Sequence, residues 1–473
     1  MPELRVLLER PNPRDEAALE WVAEWLGLRL VVRGTASDAP IVHRASHPPA
    51  GARGIVIPER PDDRLWIDLL EGRLAPTEVP ARMPFDIVSA IAAHLDDVEN
   101  QDRRRRDRHD RLPYPASFTA ERGFGQVPVV NLYLSAFGAL VERELGLRGV
   151  PRWPNGKQAA VALSHDVDRP VKWGALRGFA GGQLPRVRYL PLYAGRVLWT
   201  ARQRLKAGPG DDFWLFDPLV EAEADRGFRS TFLFAATPAF TSRGTPDDVY
   251  YDIAWPPFAP VFEMLSDRGF EIGLHAGYEA YRSLERLEAE RDRLSSFVGH
   301  PIRGLRHHFW HLGPDDAATL RLHEMAGFAW DSSLAFNDHP GFRRGAALPF
   351  HPWDPRMGRA ITTLQMPTMC MDAALFGDRA AKTTAASGEA WRTEHAVATV
   401  SQLIDTVIGV GGFGAIDWHV RTSLPLNREF RPWGKTYLAI LDRLAADDRI
   451  WVTGLDAAWE WIGERRRRIA EEP

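Results

Sequence analysis

Ten residues constrain this chain more than any others: AAVALSHDVD, Ala159 to Asp168. The apolar run Ala159 to Leu163 has the continuous character of a strand buried on both faces. It stops abruptly at Ser164, His165, Asp166, Val167 and Asp168, with Pro170 close behind. Side chains alternate along a strand, so Asp166 and Asp168 share one side at its C-terminal end, where parallel α/β folds keep their sites. Two carboxylates held together repel unless something positive lies beside them, and a divalent metal with a bound water is the commonest solution. Asp-x-Asp also caps turns and helices, so on these ten residues alone both readings stand.

The chain of 473 residues is too long for one ordinary core, and two domains, or one large barrel with an appendage, is the expectation. Lys and Arg total 59 against 63 Asp and Glu, a formal net charge of -4, which argues against a general nucleic-acid binder. The single cysteine, Cys370, excludes a disulfide framework and a thiolate metal cluster, so any metal must be held by His, Asp and Glu. No basic stretch followed by an apolar core opens the chain, and no run is long enough to span a bilayer. The expected location is cytoplasmic without an integral membrane segment, peripheral membrane contact staying open, and the sequence does not fix the oligomeric state.

Residues 1–150 alternate short apolar runs (4–8, 28–32, 53–58) with helical patterns and read as a small α/β domain without a Gly-rich phosphate loop. The run DRRRRDRHDR at 102–111, continuing to Pro115, predicts a solvated, mobile basic linker. Residues 151–473 then settle into strand, helix, strand, helix, with strands expected at 159–163, 229–237, 270–278, 302–310, 328–336, 361–369, 413–420 and 449–455. Such a series predicts a distorted (β/α) barrel of seven or eight strands whose working face is the C-terminal strand ends. An insertion, 171–211, is too long for an ordinary βα loop and is rich in basic and aromatic residues. The methionines around Cys370 read as core.

Polar residues gather where the strands end: Asp166 and Asp168; His275 and Glu279; Arg306, His307 and His308; Asp331; Asp417, Trp418 and His419. With the stretches SHDVD, EIGLHAGYEAY, GLRHHFW, WDSSLAFNDHPGFR and DWHVRTS, the chain resembles the polysaccharide deacetylase superfamily, nearest to a bacterial branch with a THDVD-type first motif and a preceding α/β domain.

That resemblance implies a metal-dependent hydrolase of carbon–nitrogen bonds other than peptide bonds, deacetylating an N-acetylated sugar with a divalent ion, usually Zn2+. It implies Asp166 as catalytic base and Asp168 as metal-binding carboxylate, although the intervening Val167 leaves the two roles exchangeable. His275 matches the first histidine ligand, with His308 and Glu279 competing for the next position. His419 matches the general acid and Arg306 the residue orienting the base. Trp310, Trp418, Tyr278 and Asp417 lie beside the motifs as candidates for binding the carbohydrate substrate. Asp372 either joins the site or caps a helix. Two rivals remain: a cyclic amide or imide hydrolase on the same barrel, and a catalytically silent carbohydrate-binding protein.

Overall fold

The computed structural model describes every residue except 1, 34–39, 47–52, 61–62, 104, 173–209, 240, 378–388 and 472–473. The expected insertion at 171–211 therefore lies, from 173 to 209, outside the described residues.

The first sheet is parallel and four-stranded, β1 (Glu3–Leu8), β2 (Arg29–Arg33), β3 (Ile41–Arg44) and β4 (Gly54–Ile57), in the order β2-β1-β3-β4. The helix Pro13–Leu26 joins β1 to β2. Asn12 caps its start by accepting from Asp15 N–H, Pro13 fills the first position, and Gly27 ends it at φ 75°. A Cβ at Gly27 would lie 2.5 Å from the Val150 backbone, so only glycine fits. Strand β3 was not legible in the sequence, because it ends in a charge. Arg44 is buried there with its guanidinium 2.6 Å from Asp15 and 3.0 Å from Asp86, two carboxylates that make burial tolerable.

The larger sheet begins at β5 (Ala159–Val167) and runs through β6 (Thr231–Phe234), β7 (Glu271–Ala276), β8 (Gly304–His307) and β9 (Trp330–Asp331). A small antiparallel pair, β10 (Trp353–Asp354) and β11 (Arg359–Ala360), stands apart. The sheet resumes with β12 (Leu364–Gln365), β13 (Thr368–Met371), β14 (Phe413–Asp417) and β15 (Ile450–Thr453). All its pairings are parallel. Strand β12 pairs with β9, while β13, two residues further on, pairs with β14, which pairs with β5. The segment 364–371 thus closes the sheet into a distorted barrel, and β15 adds beside the first half of β5.

Helices pack outside. In Leu284–Val298, capped by Ser283, Leu287 and Leu294 are buried, whereas Phe297 is 43% exposed. One apolar core runs from the first sheet into the barrel, joining Trp25 and Phe137 to Trp153, Ala160 and Phe413. Trp21 and Trp25 both donate their indole N–H to Pro349 O, at 2.9 and 3.0 Å. No described helix is long and apolar enough to cross a membrane.

The basic run is not the free linker its composition predicts. Arg111 donates to Phe309 O at 2.6 Å and to Asn337 Oδ1 at 2.7 Å, and the His109 ring stacks on Phe309 with centroids 4.5 Å apart. Interleaved Asp107, 2.8 Å from Arg111, offsets the local charge. Residues 107–111 form a strap across the turn that follows β8.

Candidate active site

Strand alternation sorts the SHDVD motif. Ser164 and Asp166 point into the barrel, while His165 points outward, with Nε2 2.8 Å from Glu223 on the helix Phe216–Ala224 and Nδ1 2.6 Å from Trp418 O. The same rule divides β8. Arg306 faces inward, whereas His307 meets His323 of the helix Asp316–Met325 at 2.8 Å and is structural. Strands β7 and β8 set His275 beside Arg306 in register.

Arg306 is fully buried and fully engaged. Its Nη1 lies 2.9 Å from Asp166 Oδ1 and 3.1 Å from Asp417 Oδ1, Nη2 donates to Ser164 Oγ at 2.9 Å, and Nε donates to Ser332 Oγ at 3.0 Å. Burial favours the neutral form of Asp166, but His275, Arg306 and His419 outweigh it and hold this carboxyl below its ordinary range. Asp417 goes the other way. Burial and the neighbouring Asp166 push it up to about 7, so the two carboxyls share the one guanidinium unequally.

At the strand ends a second cluster forms. Asp168 Oδ1 lies 3.1 Å from His275 Nε2 and 3.6 Å from His308 Nε2, and the ligand atoms of these three residues lie within 4.8 Å of one another. A tetrahedral ion with bonds of about 2.0–2.1 Å spaces its ligands about 3.3 Å apart, which the two distances bracket. His275 Nδ1–H donates to Arg306 O at 3.1 Å, leaving Nε2 bare toward Asp168, the tautomer a metal ligand needs. Asp168 Oδ1 and His308 Nδ1 are buried without a hydrogen-bond partner. Burial lowers His308 to about 4, so its ring is neutral. Burial also opposes charge on His275, yet Asp166 and Asp168 raise it, so the pocket draws positive charge. This set fits a divalent cation, and two imidazoles with one carboxylate suit zinc. The other group of close donors, Asp166, Asp417 and His419, already contains the Arg306 cation and is no second site.

His308 is aimed by an unusual turn. Phe309 and Trp310 follow it with φ of 57° and 51°, a region costly for non-glycine residues and held here by the Arg111 bond to Phe309 O and the His109 stack. Across the cleft, His419 Nε2 lies 3.0 Å from Asp168 Oδ2. Its Nδ1–H donates to Asp372 Oδ1 at 2.8 Å, and its backbone N–H donates to Asp372 Oδ2 at 3.0 Å. Burial would deprotonate His419, but Asp372 outweighs it and the imidazole is held well above its usual range.

The cleft, about 110 Å³, is lined by Asp166, Asp168, His275, His308 and His419, with Trp310 on its wall. Several sequence expectations are corrected. Glu279 lies away from the cluster, its carboxylate 2.6 Å from Arg282, because β7 ends at Ala276 and the chain turns instead of continuing as a helix that would align residues four apart. Trp418 is fully buried between Phe376 and Tyr437 and cannot touch a substrate. Asp417 is likewise fully buried, behind Asp166. Tyr278 has its hydroxyl engaged 2.9 Å from His109 Nδ1 and does not line the cleft. Met366, Met369 and Cys370 are buried as expected, and Met371, buried as well, also borders the cleft. Sequence reasoning missed Arg421, whose Nη1 donates to Asp168 Oδ2 at 3.3 Å, and Asn337. Both sit inside recognised motifs, and the signal was their proximity to strand ends.

No family model matches the chain, and no curated protein matches it by sequence. Among solved structures it is similar to a protein described as a polysaccharide deacetylase from Mycobacterium smegmatis, at 18% identity over 67% of this chain and 96% of that one, with a TM-score of 0.42. It is also similar to Puue allantoinase, at 15% identity over 67% and 93% of the two chains, TM-score 0.41. A wild-type pseudoenzyme from Bacillus anthracis, BA3943, is 9% identical over 65% of this chain and 66% of that one, TM-score 0.30.

Proposed function

We propose that the protein is a metal-dependent hydrolase of a carbon–nitrogen bond other than a peptide bond, removing acetyl from an N-acetylated sugar. One observation carries the reading. A metal-fitting trio, Asp168, His275 and His308, is flanked in one cleft by a carboxylate fixed to an arginine and an imidazole fixed to a carboxylate. Those are the parts amide hydrolysis needs: a base for water, charge stabilisation at the acyl oxygen, and an acid for the departing nitrogen.

A divalent ion held by Asp168, His275 and His308 would acidify a water and polarise the acyl oxygen. Asp166 is ionised, and its Oδ2, the oxygen not bonded to Arg306, faces His275 Nε2 at 3.8 Å, where it takes a proton from the attacking water. Arg306 fixes the direction of that carboxylate by holding its other oxygen. As the water oxygen bonds to the acyl carbon and the carbon–nitrogen bond breaks, His419 gives its Nε2 proton to the nitrogen. Asp372 keeps the ring charged and turned toward the cleft. Acetic acid, carrying the water's second proton, and a free amine leave, and the proton gained at Asp166 equals the one lost at His419; the acid then ionises to acetate in solution.

The test is zinc-loaded protein incubated with N-acetylglucosamine oligomers. Acetate release abolished by chelator and by Asp166→Asn is the expected result. Ring-opening of a hydantoin-like compound without acetate release would transfer the site to cyclic amides. Sugar binding unaffected by chelator, with no hydrolysis of any acyl sugar, would leave only a binding protein.

A further inference from the structure

The cleft of about 110 Å³ is small beside the roughly 300–1,000 Å³ of ordinary ligand pockets, so it holds an acyl group and little of the molecule bearing it. Behind it lies a second cavity of about 570 Å³. It sits between the chain around Asp96–Gln101, the strap at 106–112 and the loop 312–317 that leads into the helix Asp316–Met325. Trp310 is a wall of both spaces. Arg111 lines the cavity while bonding Phe309 O and Asn337 Oδ1, two residues of the cleft, so the spaces stand back to back.

The lining chemistry selects a ligand class. Among the described residues, five arginines and five aspartates line the cavity, a balance that does not favour a nucleotide or another polyanion. A lining that mixes donor and acceptor side chains suits hydroxyl groups, each of which both gives and accepts a hydrogen bond. Trp310 and Trp353 are the aromatic residues of the lining, the type that packs on the apolar faces of a sugar. Arg14 Nη2, Arg343 Nε and Arg344 Nε are buried without a hydrogen-bond partner, although buried donors are nearly always paired. Three such donors around one cavity mark places where ligand oxygens belong.

We propose that this cavity is a binding site for a neutral, polyhydroxylated oligosaccharide, a site that stands on its own lining and does not rest on the proposed hydrolase reading. Ala317 and Val98 line two different walls, and a tryptophan at either fills the space.

Calorimetry on the Asp166→Asn protein compares N-acetylglucosamine with its tetramer. The tetramer should bind at least about tenfold more tightly than the monomer, and Ala317→Trp or Val98→Trp should each weaken tetramer binding by about tenfold or more. Zinc stoichiometry serves as the fold control. Should neither variant fold, hydrogen exchange on the unsubstituted chain decides: added tetramer must protect amides at 96–101 and 313–317. Equal affinity for monomer and tetramer, unweakened tetramer binding in both folded variants, or exchange unchanged by tetramer overturns the proposal. Tetramer binding lost in the tryptophan variants, with no acetate released by the unsubstituted protein, keeps the site and discards the hydrolase. Acetate release with unweakened tetramer binding does the reverse.

Discussion

Asp372→Asn separates the acid half of the mechanism from everything else in the cleft. Asp372 is fully buried and accepts from His419 Nδ1–H at 2.8 Å, from His419 N–H at 3.0 Å and from the Thr422 hydroxyl. The amide keeps shape and volume but removes the charge that holds the imidazolium. A hydrogen bond to a charged group contributes about 1.5–3 kcal/mol, and at about 1.36 kcal/mol per decade this corresponds to a loss of roughly 10- to 150-fold. That range reaches only the lower end of the roughly 10²- to 10⁴-fold usually supplied by a general acid, as expected when the acid is weakened and not removed. The loss should fall only where the leaving group needs a proton. In kcat/KM assays on zinc-loaded protein, hydrolysis of an N-acetyl amide drops by that factor, while an aryl acetate, whose phenolate leaves unaided, changes by less than about threefold. The acid must be protonated, so activity on the amide falls as pH rises past the His419 pKa. With Asp372 neutral, the largest contribution raising that pKa is gone, so it drops and the alkaline limb moves to lower pH, Asp168 remaining as the other carboxylate beside the ring. Equal losses on amide and ester, with an unmoved alkaline limb and unchanged zinc content, would refute the assignment of His419 as the acid oriented by Asp372.

Three further outcomes follow from the same geometry. Asp166→Asn should retain zinc yet lower kcat on an N-acetyl amide by about 10²- to 10⁴-fold, measured by acetate release; full activity would remove it as the base. Arg111→Ala frees Phe309 O and loosens the strained turn carrying His308, so a competition titration with a chromophoric chelator should show zinc affinity falling by about 10- to 100-fold. At the opposite end of the barrel, burial and the Asp456 carboxylate push Glu271 up to about 7 from its ordinary 4.5. The folded state therefore holds a proton the unfolded state releases, and this contribution to stability is full below about 4.5 and is lost as pH rises through about 7. Glu271→Gln should flatten that decline in urea-melting midpoints measured across the window.

Much of the barrel was legible because its strands are apolar runs that end in chemistry. Asp166, Asp168, His275, Arg306, His308 and His419 sit at strand ends, and the structure gathers all six around one cleft. What could not be read depended on direction or distance. Asp417 and Trp418 adjoin His419 in sequence, but both are packed away from the cleft, and composition gives no sign of that. The pairing of His275 with Glu279 assumed a helix where the chain turns. In the basic run 102–111, Asp102, Arg105, Arg108 and Asp110 are solvent-exposed as read, but His109 and Arg111 are held by Phe309 and Asn337, about two hundred residues away and beyond any local pattern. The closing segment 364–371 falls largely within the single strand expected at 361–369. It divides its hydrogen bonds, Met366 N–H donating to Asp331 O and Pro367 O accepting from Ala415, a split decided by the whole ring and not by local propensity.

The central claim is that Asp168, His275 and His308 hold one divalent ion. Diffraction from zinc-soaked crystals, with data collected across the zinc absorption edge, tests it most directly. A single anomalous peak within about 2.0–2.3 Å of a carboxylate oxygen of Asp168 and of Nε2 of both histidines is the predicted result. A peak elsewhere, a shell that includes Glu279, or no peak with His275 bonded directly to Asp168 would contradict it.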